Sequence, residues 1–149
     1  MKILICGFMG AGKTTFLNRL SQKNRDTNYQ FIDLDTFIET DQAAKYSSLS
    51  ALINREGLEF FRKLEQKAIE KIFLEYESFI LSLGGGSLDN KNILEFVLAK
   101  DFKIIWLDTD WKECFDRIKG DKSRPLVARG EDAVRNIYVR RKIIYQEIS

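Results

Sequence analysis

Residues 7–14 read Gly-Phe-Met-Gly-Ala-Gly-Lys-Thr, and they constrain the fold more tightly than any other stretch. They fit G-x-x-x-x-G-K-[ST], the P-loop pattern, and follow a short apolar run, Ile3-Leu4-Ile5-Cys6. The expectation is a buried strand, a glycine turn and a helix. Glycines let successive backbone N–H groups point into one concavity, and the helix adds its positive dipole end. Gly10, Ala11, Gly12, Lys13, Thr14 and Thr15 are therefore candidates for holding the phosphates of a nucleotide. Lys13 would reach the β- and γ-phosphates and the Thr14 hydroxyl would ligate Mg²⁺. A glycine-rich turn without a ligand is the bland alternative, disfavoured because all four fixed positions and both flanks are right.

A strand feeding a helix at the start sets the pattern for the rest. Further strands are expected at Tyr29–Asp33, Ser78–Leu83 and Lys103–Leu107. Helices are expected after Lys13, right after Asp35 (Thr36 to Glu39 reading as a capping box), after Ser47, over Leu58–Tyr76, Asn90–Lys100, from Asp110, and over Glu131–Ile148. Alternating strands and helices imply crossover units and a parallel sheet with helices on both faces, an α/β fold of three layers. The 149 residues suit one domain, and no linker, repeat or low-complexity segment divides them. The polar stretch Gly120–Gly130 holds the only proline, Pro125, and is expected to be a mobile loop.

Composition removes several classes of function. There is no histidine and only two cysteines, Cys6 and Cys114, so neither a Cys/His zinc site nor a Ser-His-Asp triad can be built. Both cysteines are expected to be small buried hydrophobes in a reducing compartment. A net charge of +2, with no basic run carrying interleaved aromatics, gives no support to a nucleic-acid partner. With no leader-like start and no apolar run near the ~20 residues of a membrane span, the expectation is a cytoplasmic protein without a membrane partner. A monomer is expected.

In open parallel sheets ligands bind beyond the carboxyl ends of the strands. Gly7, Asp33 and Asp35, Gly84-Gly85-Gly86, and Asp108 and Asp110 leave those ends, so they should share one rim. One carboxylate of the Asp33/Asp35 pair could hold Mg²⁺ and the other could orient or deprotonate an attacking hydroxyl. The bland alternative is that both only cap a helix. Three glycines exceed what one turn needs and suit a backbone that approaches a ligand closely. Arg141 falls on the apolar stripe of the last helix, with Val134, Ile137, Tyr138, Tyr145 and Ile148, so it must be paired or bind an anion. Arg62 could face the same pocket, or form an i,i+3 surface pair with Glu65. Arg124 and Arg129 sit where a lid would carry cations to a transferring phosphoryl group. For Arg129 the expectation is plain surface charge. Trp106 is expected in the core, and Trp111 has no functional account.

The order GFMGAGKTT, FIDLDTFIE, EGLEFFRKLE, LSLGGG and SRPLV resembles the shikimate kinase family from residue 1 to about 148. The P-loop is generic, but D-x-D, G-x-x-x-F-R-x-x-E, GGG and RPL in this order are specific. The resemblance implies a P-loop kinase domain over 1–149, with substrate-binding helices at about 36–62 and a lid at about 120–130. It implies transfer of the ATP γ-phosphoryl group to the 3-hydroxyl of shikimate in aromatic biosynthesis. Carried over by position, Thr14 and Asp33 would hold Mg²⁺ and Ser82 a magnesium-bound water. Asp35 would grip the reacting hydroxyls and serve as base. Arg62 and Arg141 would clamp the carboxylate, and Gly84, Gly85 and Gly86 would line the ring. Arg124 would close over the phosphates, and Arg117 would lie against adenine.

Two departures stand out. The family usually continues with a further strand and helix that add a sheet edge and part of the adenine contact. The family's R-x-P-L-Y motif reads here Arg141-Lys142-Ile143-Ile144-Tyr145, without the proline and its kink. Three other functions compete: a kinase for another hydroxy acid such as gluconate, a catalytically silent ATP-binding protein and, more weakly, a nucleotide kinase.

Overall fold

The computed structural model describes residues 1–149. Four strands, β1 (Lys2–Cys6), β2 (Gln30–Asp33), β3 (Phe79–Ser82) and β4 (Lys103–Trp106), form one sheet in the order β2-β3-β1-β4. Every pairing is parallel. Seven helices connect and cover them: α1 (Lys13–Lys23), α2 (Leu34–Asp41), α3 (Leu49–Glu56), α4 (Leu58–Glu75), α5 (Lys91–Ala99), α6 (Trp111–Ile118) and α7 (Glu131–Ile148). This is the expected α/β architecture.

The sheet divides its apolar side chains by strand alternation. Leu4, Phe79 and Leu81 face a core shared with Leu34, Leu52, Phe61, Ile69 and Ile72 of α2, α3 and α4. Ile5 and Ile80 face the opposite way and pack on Leu17 of α1. A third cluster, with Phe8, Cys114, Ile118, Val134 and Tyr138, joins the P-loop to α6 and α7. Trp111 belongs here: it stacks on Phe115 at 5.0 Å and meets the edge of Tyr138. Both cysteines are buried as expected. Burial pushes their thiols up, Cys6 to about 12 and Cys114 to about 11, so both stay protonated. Trp106 is half-buried against the first core rather than inside it.

Helix starts follow local chemistry. Ser48, Asn90 and Asp110 accept hydrogen bonds from the backbone N–H groups of Ala51, Asn92 and Glu113. Two expectations are corrected. The cap of α3 is Ser48, not Ser47, and α2 begins at Leu34, earlier than the capping-box reading placed it. Asp33 keeps extended backbone and its Oδ1 accepts from Thr36 N–H at 3.0 Å, so Asp33 is the cap and Asp35 lies in the first turn. The carboxylate of Glu39 instead accepts from Leu49 N–H at 3.4 Å and closes no box.

Candidate active site

Sheet register sets the floor of the site. Asp33 is opposite Ser82, and Ser82 is opposite Ile5, one residue before the strand gives way to the P-loop. The carboxyl ends of β2, β3 and β1 therefore finish level, as the rim argument requires. Above them opens a cleft of about 740 Å³, lined from the P-loop through Asp33, Asp35, Ser82, Gly84 and Gly85 to Arg117 and Arg124.

The P-loop adopts the conformation its glycines allow. Gly10 and Gly12 have φ of 75° and 92°. At Gly10 a Cβ would also sit 2.7 Å from the carbonyl oxygen of Cys114, so close packing against α6 excludes any side chain there. Gly12 leads directly into α1 without a side-chain cap, which leaves the first-turn N–H groups facing the cleft. Lys13 Nζ donates to the carbonyls of Gly7 (2.8 Å) and Phe8 (3.0 Å). Burial lowers its pKa to about 8, partly offset by the Asp35 charge. Thr109 Oγ1 donates to the Ala11 carbonyl and Arg117 Nη1 to that of Gly10, so the loop is braced from the β4 side. Arg117 also pairs with Glu113.

Thr14 Oγ1 donates to Asp33 Oδ2 at 3.1 Å. These two oxygens meet beside the P-loop and are hard ligands of the kind Mg²⁺ takes together with substrate phosphates and water. No group of three or more His, Cys, Asp or Glu side chains is placed to hold a metal ion by itself. Ser82 is buried at the cleft floor.

Asp35 is an exposed residue lining the cleft, with its carboxyl group set back among protein atoms. That enclosure, followed by the Glu65 and Asp33 charges, pushes its carboxyl up to about 6, against the pull of Lys13 and Arg62. A group poised there can take a proton from a hydroxyl near neutral pH.

The three glycines do more than turn the chain. A Cβ on Gly84 would lie 3.0 to 3.2 Å from Ser87 Oγ, Glu65 Oε1 and Asp35 Oδ1. On Gly85 it would lie 2.9 Å from Met9 Cγ. On Gly86 it would lie 2.8 Å from Arg141 Nη2 and closer still to Arg62 Nη2. Arg62 on α4 and Arg141 on α7, 79 positions apart, thus converge on one glycine. They stand beside the cleft rather than among its lining residues.

Each arginine has a carboxylate partner that the sequence pattern did not single out as functional. Arg62 pairs with Glu65 at 2.5 Å, the i,i+3 contact weighed as a surface pair. It is not a surface pair: Glu65 is fully buried and its other oxygen accepts from Ser87 Oγ at 2.6 Å. The signal was present, since Glu65 stands one helical turn after Phe61 and one before Ala68, on the same buried stripe of α4 as Ile72. Arg141 pairs with Asp89, at the end of a 3-10 turn (Ser87–Asp89), and no local pattern marked that residue.

In the 120–130 segment Arg124 turns toward the cleft and its Nε donates to Asp121 at 2.9 Å. Arg129 is exposed and lines no part of the cleft, as expected of surface charge. The candidate residues therefore fall into two adjoining groups, the P-loop with Thr14 and Asp33 and an arginine pair behind the glycine run, with Asp35 between them.

The comparisons with known proteins agree with this geometry. The family model described as shikimate kinase matches residues 9–149. A shikimate kinase of Persephonella marina is 33% identical over 97% of this chain and 84% of its own length. Among solved structures, a shikimate kinase from Acinetobacter baumannii in complex with shikimate superposes with a TM-score of 0.83 at 27% identity, covering 99% of this chain and 79% of that one. The Aquifex aeolicus enzyme gives 0.81 at 30% identity, over the whole chain and 84% of its counterpart. On these matches and the site they surround, the chain belongs to the shikimate kinase family.

Proposed function

We propose that this chain transfers the γ-phosphoryl group of ATP to the 3-hydroxyl of shikimate, with Mg²⁺ as the metal. The observation that carries the substrate side is the convergence of Arg62 and Arg141 on Gly86, one strand-end away from Asp35 and the phosphate cradle. Two guanidinium groups beside a glycine wall suit a small ring acid whose carboxylate is gripped while its hydroxyls face the phosphates.

The P-loop amides and Lys13 hold the β- and γ-phosphates, and Thr14 with Asp33 supplies protein oxygens to Mg²⁺. When bound, the metal neutralises charge on the phosphate oxygens. Asp35 holds the acceptor hydroxyl and takes its proton as the new O–P bond forms and the bond to the ADP oxygen breaks. Arg124, on the lid segment, places a cation against the charge spread over the transferring group. In this reading Ser82 would hold a metal-bound water and Arg117 would lie against adenine, both of them lining the cleft. The helix that carries Asp35 and the one that starts at Leu58 and carries Arg62 form the substrate side of a single domain.

The test is coupled ADP release with ATP and Mg²⁺, with and without shikimate, and with gluconate as control. Shikimate-dependent release supports the proposal. Release with gluconate alone would move the substrate to another hydroxy acid, and ATP binding without turnover on any acid would mark a silent nucleotide-binding protein.

A further inference from the structure

Nη1 of Arg141 is the one buried side-chain nitrogen or oxygen without a hydrogen-bond partner. The other edge of the same guanidinium is fully used. Nε and Nη2 both donate to Oδ2 of Asp89, at 3.0 and 2.8 Å. Arg140 reaches that oxygen from the exposed side at 3.4 Å. Arg141 is 4% exposed, so a free donor there is costly unless a ligand completes it.

A guanidinium is a rigid planar fork, so fixing one edge decides where the other points. The backbone of α7 does not perform that task by itself, for the helix runs unbroken from Glu131 to Ile148 past the position where the family's proline would stand. The side chain has many rotamers, and a counter-ion on one edge selects among them. Asp89 lies three residues after Gly86, so the turn that brings the glycine wall to Arg141 also brings the carboxylate that grips it.

We propose that Asp89 is a positioning residue that holds the Nε–Nη2 edge of Arg141 and so aims Nη1 at the carboxylate of the acid substrate. This rests on the proposed role of Arg141 as a carboxylate clamp. A purely structural ion pair would leave no reason for the remaining buried donor. Glu65 does the corresponding work on Arg62 by a local contact, whereas Asp89 must reach across 52 positions of sequence.

The experiment compares wild type, Asp89→Asn, Asp89→Glu, Arg141→Ala and the Asp89→Asn/Arg141→Ala double variant. KM for shikimate, KM for ATP and the melting midpoint are measured for each. Asp89→Asn is expected to raise KM for shikimate about tenfold, close to the loss of one charge-assisted hydrogen bond, with KM for ATP within about twofold. Asp89→Glu keeps the charge but displaces it by a methylene, and is expected to raise KM for shikimate at least about threefold. In the Arg141→Ala background the Asp89 change should add less than about twofold, because it acts through the missing guanidinium.

An unchanged KM for shikimate in either single Asp89 variant overturns the inference. So do effects that multiply in the double variant, or a parallel rise in KM for ATP. Should Asp89→Asn fail to fold, Asp89→Glu decides alone. A wild type that turns over only another hydroxy acid defeats the substrate reading instead, and the same comparison is then made with that acid.

Discussion

Gly86→Ala is the sharpest perturbation the site offers. Gly86 has φ of −114° and ψ of 5°, which alanine adopts without strain, so the substitution acts through its methyl group alone. That methyl would stand 2.8 Å from Arg141 Nη2 and nearer to Arg62 Nη2, against a normal separation of about 3.5 Å. Arg141 is buried and gripped by Asp89, whereas the Arg62 side chain is 21% exposed at the end of flexible bonds, so Arg62 is the group that yields. A displaced guanidinium loses one charge-assisted hydrogen bond to the substrate, worth about 1.5–3 kcal/mol. KM for shikimate should therefore rise roughly 10- to 100-fold. KM for ATP should stay within about twofold, since Gly86 lies outside the cleft lining. Relief through a mobile tip should limit the stability loss to about 1 kcal/mol, or about 2–4 °C in melting midpoint. The assay is initial-rate kinetics with each substrate varied, beside a thermal melt. A variant with wild-type KM for shikimate and an intact melt would refute the convergence of the two arginines as the acid site.

Lys13→Ala should lower turnover by about 10²-fold or more with the fold retained, although the Gly7 and Phe8 carbonyls lose the hydrogen bonds it donates; turnover near the wild-type rate would remove Lys13 from the phosphate site. Asp33→Asn should raise the Mg²⁺ concentration needed for half-maximal rate while keeping α2 intact, since asparagine caps a helix as well as aspartate does; an unchanged Mg²⁺ requirement would remove Asp33 from the metal site. Asp35 titrates at about 6, so kcat/KM for shikimate should fall as pH drops through that value, and a profile flat from pH 7 to 5 would argue against Asp35 as base. Stability should move the opposite way. The folded chain binds this proton more readily than the unfolded chain does, whose carboxyl titrates near 3.8. Ionised Asp35 thus weighs against folding above pH 6, and the penalty fades as pH falls toward 4. Asp35→Asn should melt above wild type at pH 7.5, with a narrower gap at pH 4.5; an equal gap at both pH values would show another cause.

The fold was legible because its determinants are local or periodic. β1 and the P-loop are a contiguous pattern, the other strands are short apolar runs ending in glycine or aspartate, and a parallel sheet follows from their alternation with helices. The errors fall at helix starts. Between Asp33 and Asp35 the pattern offers two capping carboxylates, and only backbone conformation decides. Asp33 wins because it ends a strand with extended φ and ψ, which puts its side chain over the N–H of Thr36. Asp35 reaches the cleft from the first helical turn rather than from the end of the strand.

The cations of the site were legible and their counter-ions were not, for one physical reason. A charge on the apolar stripe of a long helix announces itself by breaking the period, so Arg141 could be placed in the interior from α7 alone. Its partner announces nothing. Asp89 lies in a three-residue turn with no period to break, and it looks like any polar turn residue until the fold brings it to Arg141. Glu65 is the intermediate case. It does break the stripe of α4, but a nearby arginine at i−3 supplies the more ordinary explanation of a surface pair, and only its complete burial and the bond from Ser87 rule that out. Buried counter-ions are costly to isolate, since removing one leaves its partner charged and unpaired. The carboxylates hidden from the sequence pattern are accordingly the residues whose substitution should most disturb where the two arginines point.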